Sequence, residues 1–101
     1  MEFLLSNSLD AFNNGLVVNH ELTDGQREGI VRLEGELLFR TIQIEDVPRV
    51  IRERLNLIDE SVVRACAQEI YNEFCGPIRW YFSELEARLK KVGFELETTD
   101  L

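Results

Sequence analysis

Histidine occurs once in these 101 residues and cysteine twice, a scarcity that removes most metal and nucleophile chemistry at the outset. A structural zinc site needs four Cys or His ligands at short spacings, and Cys66 and Cys75 belong to no CxxC pair. On one helix, nine residues set these two thiols about 13.5 Å apart along the axis and on opposite sides, too far for a disulfide. They are expected as fillers, Cys66 in the core and Cys75 at a helix end. A di-metal carboxylate bundle would need Glu-x-x-His pairs, and the chain has none. GxGxxG and GxxxxGK[ST] loops are also missing, which leaves no cradle for nucleotide phosphates. No cofactor or metal is expected.

Long apolar runs are missing too. No stretch approaches the ~18 consecutive apolar residues that span a bilayer. The start, Met1-Glu2-Phe3-Leu4-Leu5-Ser6-Asn7, has no basic segment and does not read as a secretion signal, so a reducing, cytoplasmic setting is expected. Positive charge is in short supply, with 11 bases against 19 acids and a formal net charge of −8. That balance argues against direct contact with a nucleic-acid backbone. Residues 1–48 hold nine acids and three bases, residues 49–101 ten and eight. The acidic first half suits solubility, and would also attract a basic surface.

What is present is helical patterning throughout. An apolar share of 45% in one short, linker-free chain predicts a single all-α domain, a compact bundle of four or five helices over residues 1–93 with a short tail over 94–101. The first helix is expected from about Phe3 to Asn13, with Leu5, Leu9 and Phe12 on one face. Asn13-Asn14-Gly15 reads as its stop, because these residues tolerate the left-handed conformation of a C-terminal cap. Leu16-Val17-Val18 then reads as an extended connector. Thr23-Asp24-Gly25-Gln26 matches a capping box for a second helix running to about Thr41. Gly29 and Gly35 in its interior point to a neighbour's close approach or to a tolerated weakness.

A third helix is predicted from about Ile44 to Leu55, with Pro48 in its first turn and Ile44, Val47, Val50, Ile51 and Leu55 facing the core. Asp59 is a natural N-cap for a fourth helix burying Val63, Cys66, Ala67, Ile70 and Phe74. Gly76-Pro77 ends that helix or kinks it into a fifth, whose apolar seam is Ile78, Phe82, Leu85, Leu89 and Val92. The fifth stops at Lys90-Lys91-Val92-Gly93. The tail Phe94-Glu95-Leu96-Glu97-Thr98-Thr99-Asp100-Leu101 reads as a frayed terminus, or as an edge strand.

Several side chains stand out as candidates. At about 100° per residue, Trp80 lies roughly 200° from Ile78, away from the seam. The sole tryptophan therefore contacts another protein molecule, folds back on helix four across the Pro77 break, or forms a platform for a small ligand. Tyr81 flanks the seam. Arg49 and Arg52 share a face of the third helix, and Arg49 has Glu45 and Glu53 four residues to either side, so the alternatives are a salt-bridged face or a docking patch for acidic groups. Glu34, Glu69 and Glu73 read as solvated helix faces. His20 could act chemically only beside Cys66, a serine or a carboxylate brought to it in space.

From His20 to Leu85 the chain resembles a small helical domain that recurs in bacteria of the candidate phyla radiation. The similarity rests on Leu22-Thr23-Asp24-Gly25-Gln26, Ile44-Glu45-Asp46, Arg52-Glu53-Arg54-Leu55-Asn56-Leu57, Ala65-Cys66-Ala67-Gln68-Glu69-Ile70, Asn72-Glu73-Phe74 and Pro77-Ile78-Arg79. The departures are Cys75-Gly76 before the proline and the Trp80-Tyr81 pair. The resemblance implies an all-helical fold; the family carries no assigned activity, so it assigns no functional residue.

The function these features favour is a non-enzymatic protein–protein interaction module, self-associating or docked on a protein partner, through Trp80, Tyr81, Arg49 and Arg52. One alternative is an acidic inhibitor or adaptor that occupies a basic surface of its partner. Another is a small enzyme using His20. Neither nucleic acid nor membrane is an expected partner.

Overall fold

Leu9, Phe12 and Leu16 recur at steps of three and four, and that stripe outlasts the expected stop signal. The computed structural model describes residues 7–96, and its first helix, α1, spans Asn7–His20 straight through Asn13-Asn14-Gly15. The expected ending at Asn13 and the extended connector are therefore corrected. Gly15 stays helical, Asn13 is buried, and Leu16 is 1% exposed in the core. Packing of that stripe overrides the local preference of Asn and Gly for a cap. Residues 3–6 of the expected first helix lie outside the described residues.

The helix ends about two turns later, at a residue the sequence gives no reason to single out. Glu21 adopts a left-handed φ of 54°, and the Leu22 N–H donates back to the Val17 carbonyl at 2.9 Å, the six-to-one bond of a Schellman cap. The same device recurs. α2 (Asp24–Leu38) closes on Arg40 (φ 60°) with Thr41 N–H to Glu36 O at 3.0 Å. After a 3-10 turn at Ile44–Asp46, α3 (Val47–Arg54) closes on Asn56 (φ 54°) with Leu57 N–H to Arg52 O at 3.2 Å. α4 spans Glu60–Ile70, and α5 (Leu85–Lys91) closes on Gly93 (φ 87°) with Phe94 N–H to Leu89 O at 2.9 Å. Of these four left-handed helix ends only the last is a glycine.

The predicted N-caps at Thr23 and Asp59 hold. Thr23 and Gln26 form a reciprocal capping box, and the Asp59 carboxylate accepts from Ser61 N–H. The core faces of α3 and α4 are the expected ones, all buried. Gly29 marks a close approach: a Cβ there would come within 2.9 Å of Leu55 Cδ1, whereas one at Gly35 would meet nothing within 4 Å. Gly35→Ala should therefore raise the unfolding free energy by about 1 kcal/mol through its helix propensity alone. Gly29→Ala should not, because Leu55 must move aside; paired urea titrations of the two variants check the contrast.

Pro77 reshapes the chain more than a kink would. Lacking an N–H and crowding the preceding turn, it is approached through a wider, π-helical turn at Tyr71–Cys75, in which Gly76 N–H bonds to Tyr71 O. A 3-10 segment follows at Gly76–Tyr81, then Phe82 is extended (φ −107°, ψ 124°) and Glu84 left-handed (φ 50°) before α5 begins. The single fifth helix expected over residues 78–92 is thus corrected to a 3-10 segment, a bend and a short α-helix. Its seam survives, since Ile78, Phe82, Leu85 and Leu89 are buried and Val92 is partly so. A bent path satisfies the same apolar positions as a straight one.

The described residues contain five α-helices and no strand, in one globule with a radius of gyration of 12.7 Å, near the ~13 Å typical of 100 residues. The first tail residue belongs to that core. Phe94 is 3% exposed and meets the Tyr71 ring edge-on at 5.0 Å. Residues 97–101 of the expected tail lie outside the described residues.

Candidate functional site

The surface around Trp80 is built by two chain reversals that touch. At the first, α2 ends on Phe39, and Arg40 leaves from its left-handed position. At the second, the 3-10 segment carries Trp80 and Tyr81. The Arg40 guanidinium lies over the Tyr81 ring, 4.7 Å from its centroid, and Nη2 donates to Tyr81 O at 3.2 Å. In return the Tyr81 hydroxyl donates to Leu38 O. These interactions fix Tyr81 half-buried, with the Trp80 ring edge-on to it at 6.0 Å.

Trp80 itself is 70% exposed, so it does not fold back on α4. The continuous helix that would set this exposure by register does not form, and Trp80 is exposed by the 3-10 geometry of Gly76–Tyr81 instead. Phe39, the residue before Arg40, is 82% exposed. It went unnoticed in the sequence, although it follows Leu37 and Leu38 and falls off the apolar stripe of Ile30, Leu33 and Leu37. Two aromatic rings thus precede, by one residue each, the two side chains that stack on one another.

Beside them opens a groove of about 390 Å³ lined by Leu37, Arg40, Ile42, Trp80, Tyr81 and Arg88, among others. Arg88 is spoken for, since Nε and Nη2 reach the two Glu45 oxygens at 2.8 and 2.7 Å. This pairing holds the Glu45 carboxyl below the usual carboxylate range. Arg40 differs. Among the described residues it has an aromatic face and a carbonyl for partners, and no carboxylate. In a chain with an excess of acids, that is a cation left available.

Arg49 and Arg52 lie on a salt-bridged face. Arg49 bridges Asp46 at 3.3 Å and Glu53 at 3.2 Å; the Glu45 partner expected for it goes to Arg88. The Arg52 Nε donates to Glu60 at 3.0 Å, with a second bond from Nη2. Arg49 lines a separate shallow groove with Val50, Glu53 and Arg54, and Ile42 lines both grooves. Tyr81 and Trp80 are therefore brought together, while Arg49 adjoins them only across Ile42.

His20 does not project alone into solvent. Its Nε2 meets Glu69 Oε2 at 2.5 Å, which ties the end of α1 to α4 and removes Glu69 from the solvated acids. A carboxylate can orient an imidazole as a base. The groove beside the pair is lined by Phe12, Leu16, Asn19, Gln68, Asn72 and Glu73, among others, and offers no serine, cysteine or lysine. Neither thiol supplies the missing nucleophile. Burial pushes Cys66 up to about 11 and Cys75 higher still, so both remain protonated and inert at neutral pH. Among the described residues no group of three or more His, Cys, Asp or Glu is placed to hold a metal, and no helix is long and apolar enough to cross a membrane. In comparisons with family models, curated proteins and solved structures, nothing matches this chain.

Proposed function

We propose that this chain is a non-enzymatic protein–protein interaction module that self-associates through Trp80, Phe39, Arg40 and Tyr81, with Arg49 and Arg52 toward the rim. The observation that carries this reading is the pair of exposed aromatics flanking an arginine that has no carboxylate partner among the described residues. Each ring offers roughly 150–250 Å² to a partner, and Trp, Tyr and Arg are the residues on which interfaces concentrate their energy. A second copy supplies the complement, since residues 1–48 hold nine acids against three bases. Arg49 and Arg52, already paired within the chain, would contribute little energy and some orientation at an exposed rim.

Light scattering of the purified protein tests the reading. The expected mass is about twice the 11.7 kDa of one chain, returning to that of one chain in Trp80→Ala while the helical circular dichroism is unchanged. A variant that remains dimeric removes Trp80 as the anchor. A wild-type protein that is monomeric at high concentration removes self-association and leaves the surface to a different protein.

A further inference from the structure

Asn13 and Glu34 are the two polar side chains buried in the described core, each 2% exposed, and they face each other across the α1–α2 contact. Asn13 Nδ2 donates to Glu34 Oε1 at 3.1 Å. The other two oxygens, Asn13 Oδ1 and Glu34 Oε2, have no hydrogen-bond partner among the described residues. With Glu34 ionised, both orphans are acceptors, and neither can satisfy the other. A carboxylic acid changes that count. Its O–H can donate to Asn13 Oδ1 while the amide N–H donates to Oε1, and a planar acid and a planar amide then close a ring of two hydrogen bonds. The unpaired atoms are the two that such a ring requires.

We propose that Glu34 carries a proton in the folded domain, paired with Asn13 through two hydrogen bonds, and that losing this proton releases α1 from the rest of the bundle. The pair is a latch on one helix. Removal of the carboxyl from water is the largest influence on its titration and pushes it up from 4.5 to about 7, against the opposing effects of the Asn13 hydrogen bond and the Arg27 charge. The surrounding charges are mostly committed. Arg27 donates to Asn14 at 2.8 Å and lies 3.8 Å from Asp10, both on α1. His20 of α1 is held by Glu69 of α4, and Arg54 of α3 by Glu36. The π turn contributes Cys75, a neutral thiol.

The latch acts locally because α1 is lightly held. Leu16 is its one apolar side chain in the fully buried set, with Leu9, Phe12 and Val17 only partly covered. Elements with few buried apolar contacts open below the free energy of global unfolding. Once α1 lifts, Glu34 is solvated and titrates near 4.5, so opening is favoured as pH rises toward the folded-state value of about 7.

Amide hydrogen exchange of the full chain at pH 5.5 and pH 8, corrected for intrinsic rates, tests this directly. α1 amides should lose roughly thirtyfold in protection at pH 8, and at both pH values they should exchange faster than those of Val63, Cys66 and Ile70 in α4, which open only with the whole domain. In Glu34→Gln, whose amide preserves both hydrogen bonds without a proton to lose, α1 protection should not change with pH. Equal α1 protection at the two pH values, an unaltered pH effect in Glu34→Gln, or α1 amides as well protected as those of α4 would each overturn the latch. Carbon-13 titration of the Glu34 carboxyl in the unmodified protein is independent of how the variant folds. A midpoint near 7 supports the protonated pair, and one near 4.5 overturns it.

Discussion

Tyr71→Ala should destabilise the domain by about 4 kcal/mol, seen as a lower urea midpoint at unchanged slope. Tyr71 is 0% exposed and opens the π turn that leads into Gly76-Pro77. Its hydroxyl donates to Ile44 O at 2.7 Å, and its ring meets Phe94 edge-on at 5.0 Å. One side chain thus joins the turn after α4, the 3-10 turn that starts α3, and the segment that follows α5. Truncation removes the aromatic packing and leaves a cavity, and losses for large aromatics in cores run to about 3–5 kcal/mol. Tyr71→Phe separates the two contributions. It keeps the ring and removes one of two hydrogen bonds to the Ile44 carbonyl, which the Val47 N–H also reaches, at a cost of about 1 kcal/mol. A phenylalanine variant as stable as the original would show that the hydroxyl contributes nothing and that packing alone accounts for the residue. Against a total stability of about 5–15 kcal/mol for a domain, the alanine variant is close to the limit of folding.

Stability should also fall by about 3 kcal/mol between pH 4.5 and pH 7 through Glu34 alone. The sign follows from proton counting. The folded carboxyl titrates at about 7 and the unfolded one at 4.5, so the folded state binds more protons throughout that window. Its stabilising contribution is complete below 4.5 and is lost as pH climbs to about 7. Glu45, Asp59 and Glu60 act oppositely, because Arg88, the Ser61 hydroxyl and Arg52, respectively, lower their titration. Those contributions are present above the ordinary carboxylate range and fade on acidification. Subtracting the urea-derived stability of the unmodified protein from that of Glu34→Gln at each pH isolates the one group. The difference should grow by about 3 kcal/mol from pH 4.5 to pH 8. A difference that stays constant would mean that Glu34 is ionised in the fold at no cost.

Those two residues also mark where the sequence could and could not be read. The caps at Thr23-Gln26 and Asp59 were legible because each is a local hydrogen bond with a fixed spacing. The buried faces of α3 and α4 were legible because apolar periodicity reports burial whatever the partner is. Glu34 was misread as a solvated acid, since its environment is set by Asn13, twenty-one residues earlier in the chain. Asn13 was misread as a stop for the same reason: nothing near it in sequence shows that its amide is buried against an acid. The break at Phe82 to Glu84 was hidden by a seam that a bent chain satisfies as well as a helix does.

At the candidate site, the exposure of Trp80 was anticipated but rested on a helix that is not there. Phe39 and Arg40 were missed altogether, because their meeting with Trp80 and Tyr81 depends on two turns forty residues apart. Pairing of Arg49 with Glu53 was one of the alternatives the sequence offered, because an i,i+4 ion pair on a helix face is local enough to be seen there, whereas the Arg52 partner, Glu60, belongs to the next helix.

The left-handed helix end at Arg40 carries a lesson for anyone re-engineering this domain. A side chain at that backbone angle is strained, by about 1–2 kcal/mol relative to glycine. Glu21 bears the same strain with its side chain exposed and no distant contact, so glycine there is a simple route to a more robust fold. At position 40 the same substitution would relax the backbone and erase the cation that stacks on Tyr81. Two helix ends with one geometry therefore answer to different demands. At Glu21 consensus idealisation is free, while at Arg40 it would trade recognition for rigidity, the conflict known as local frustration.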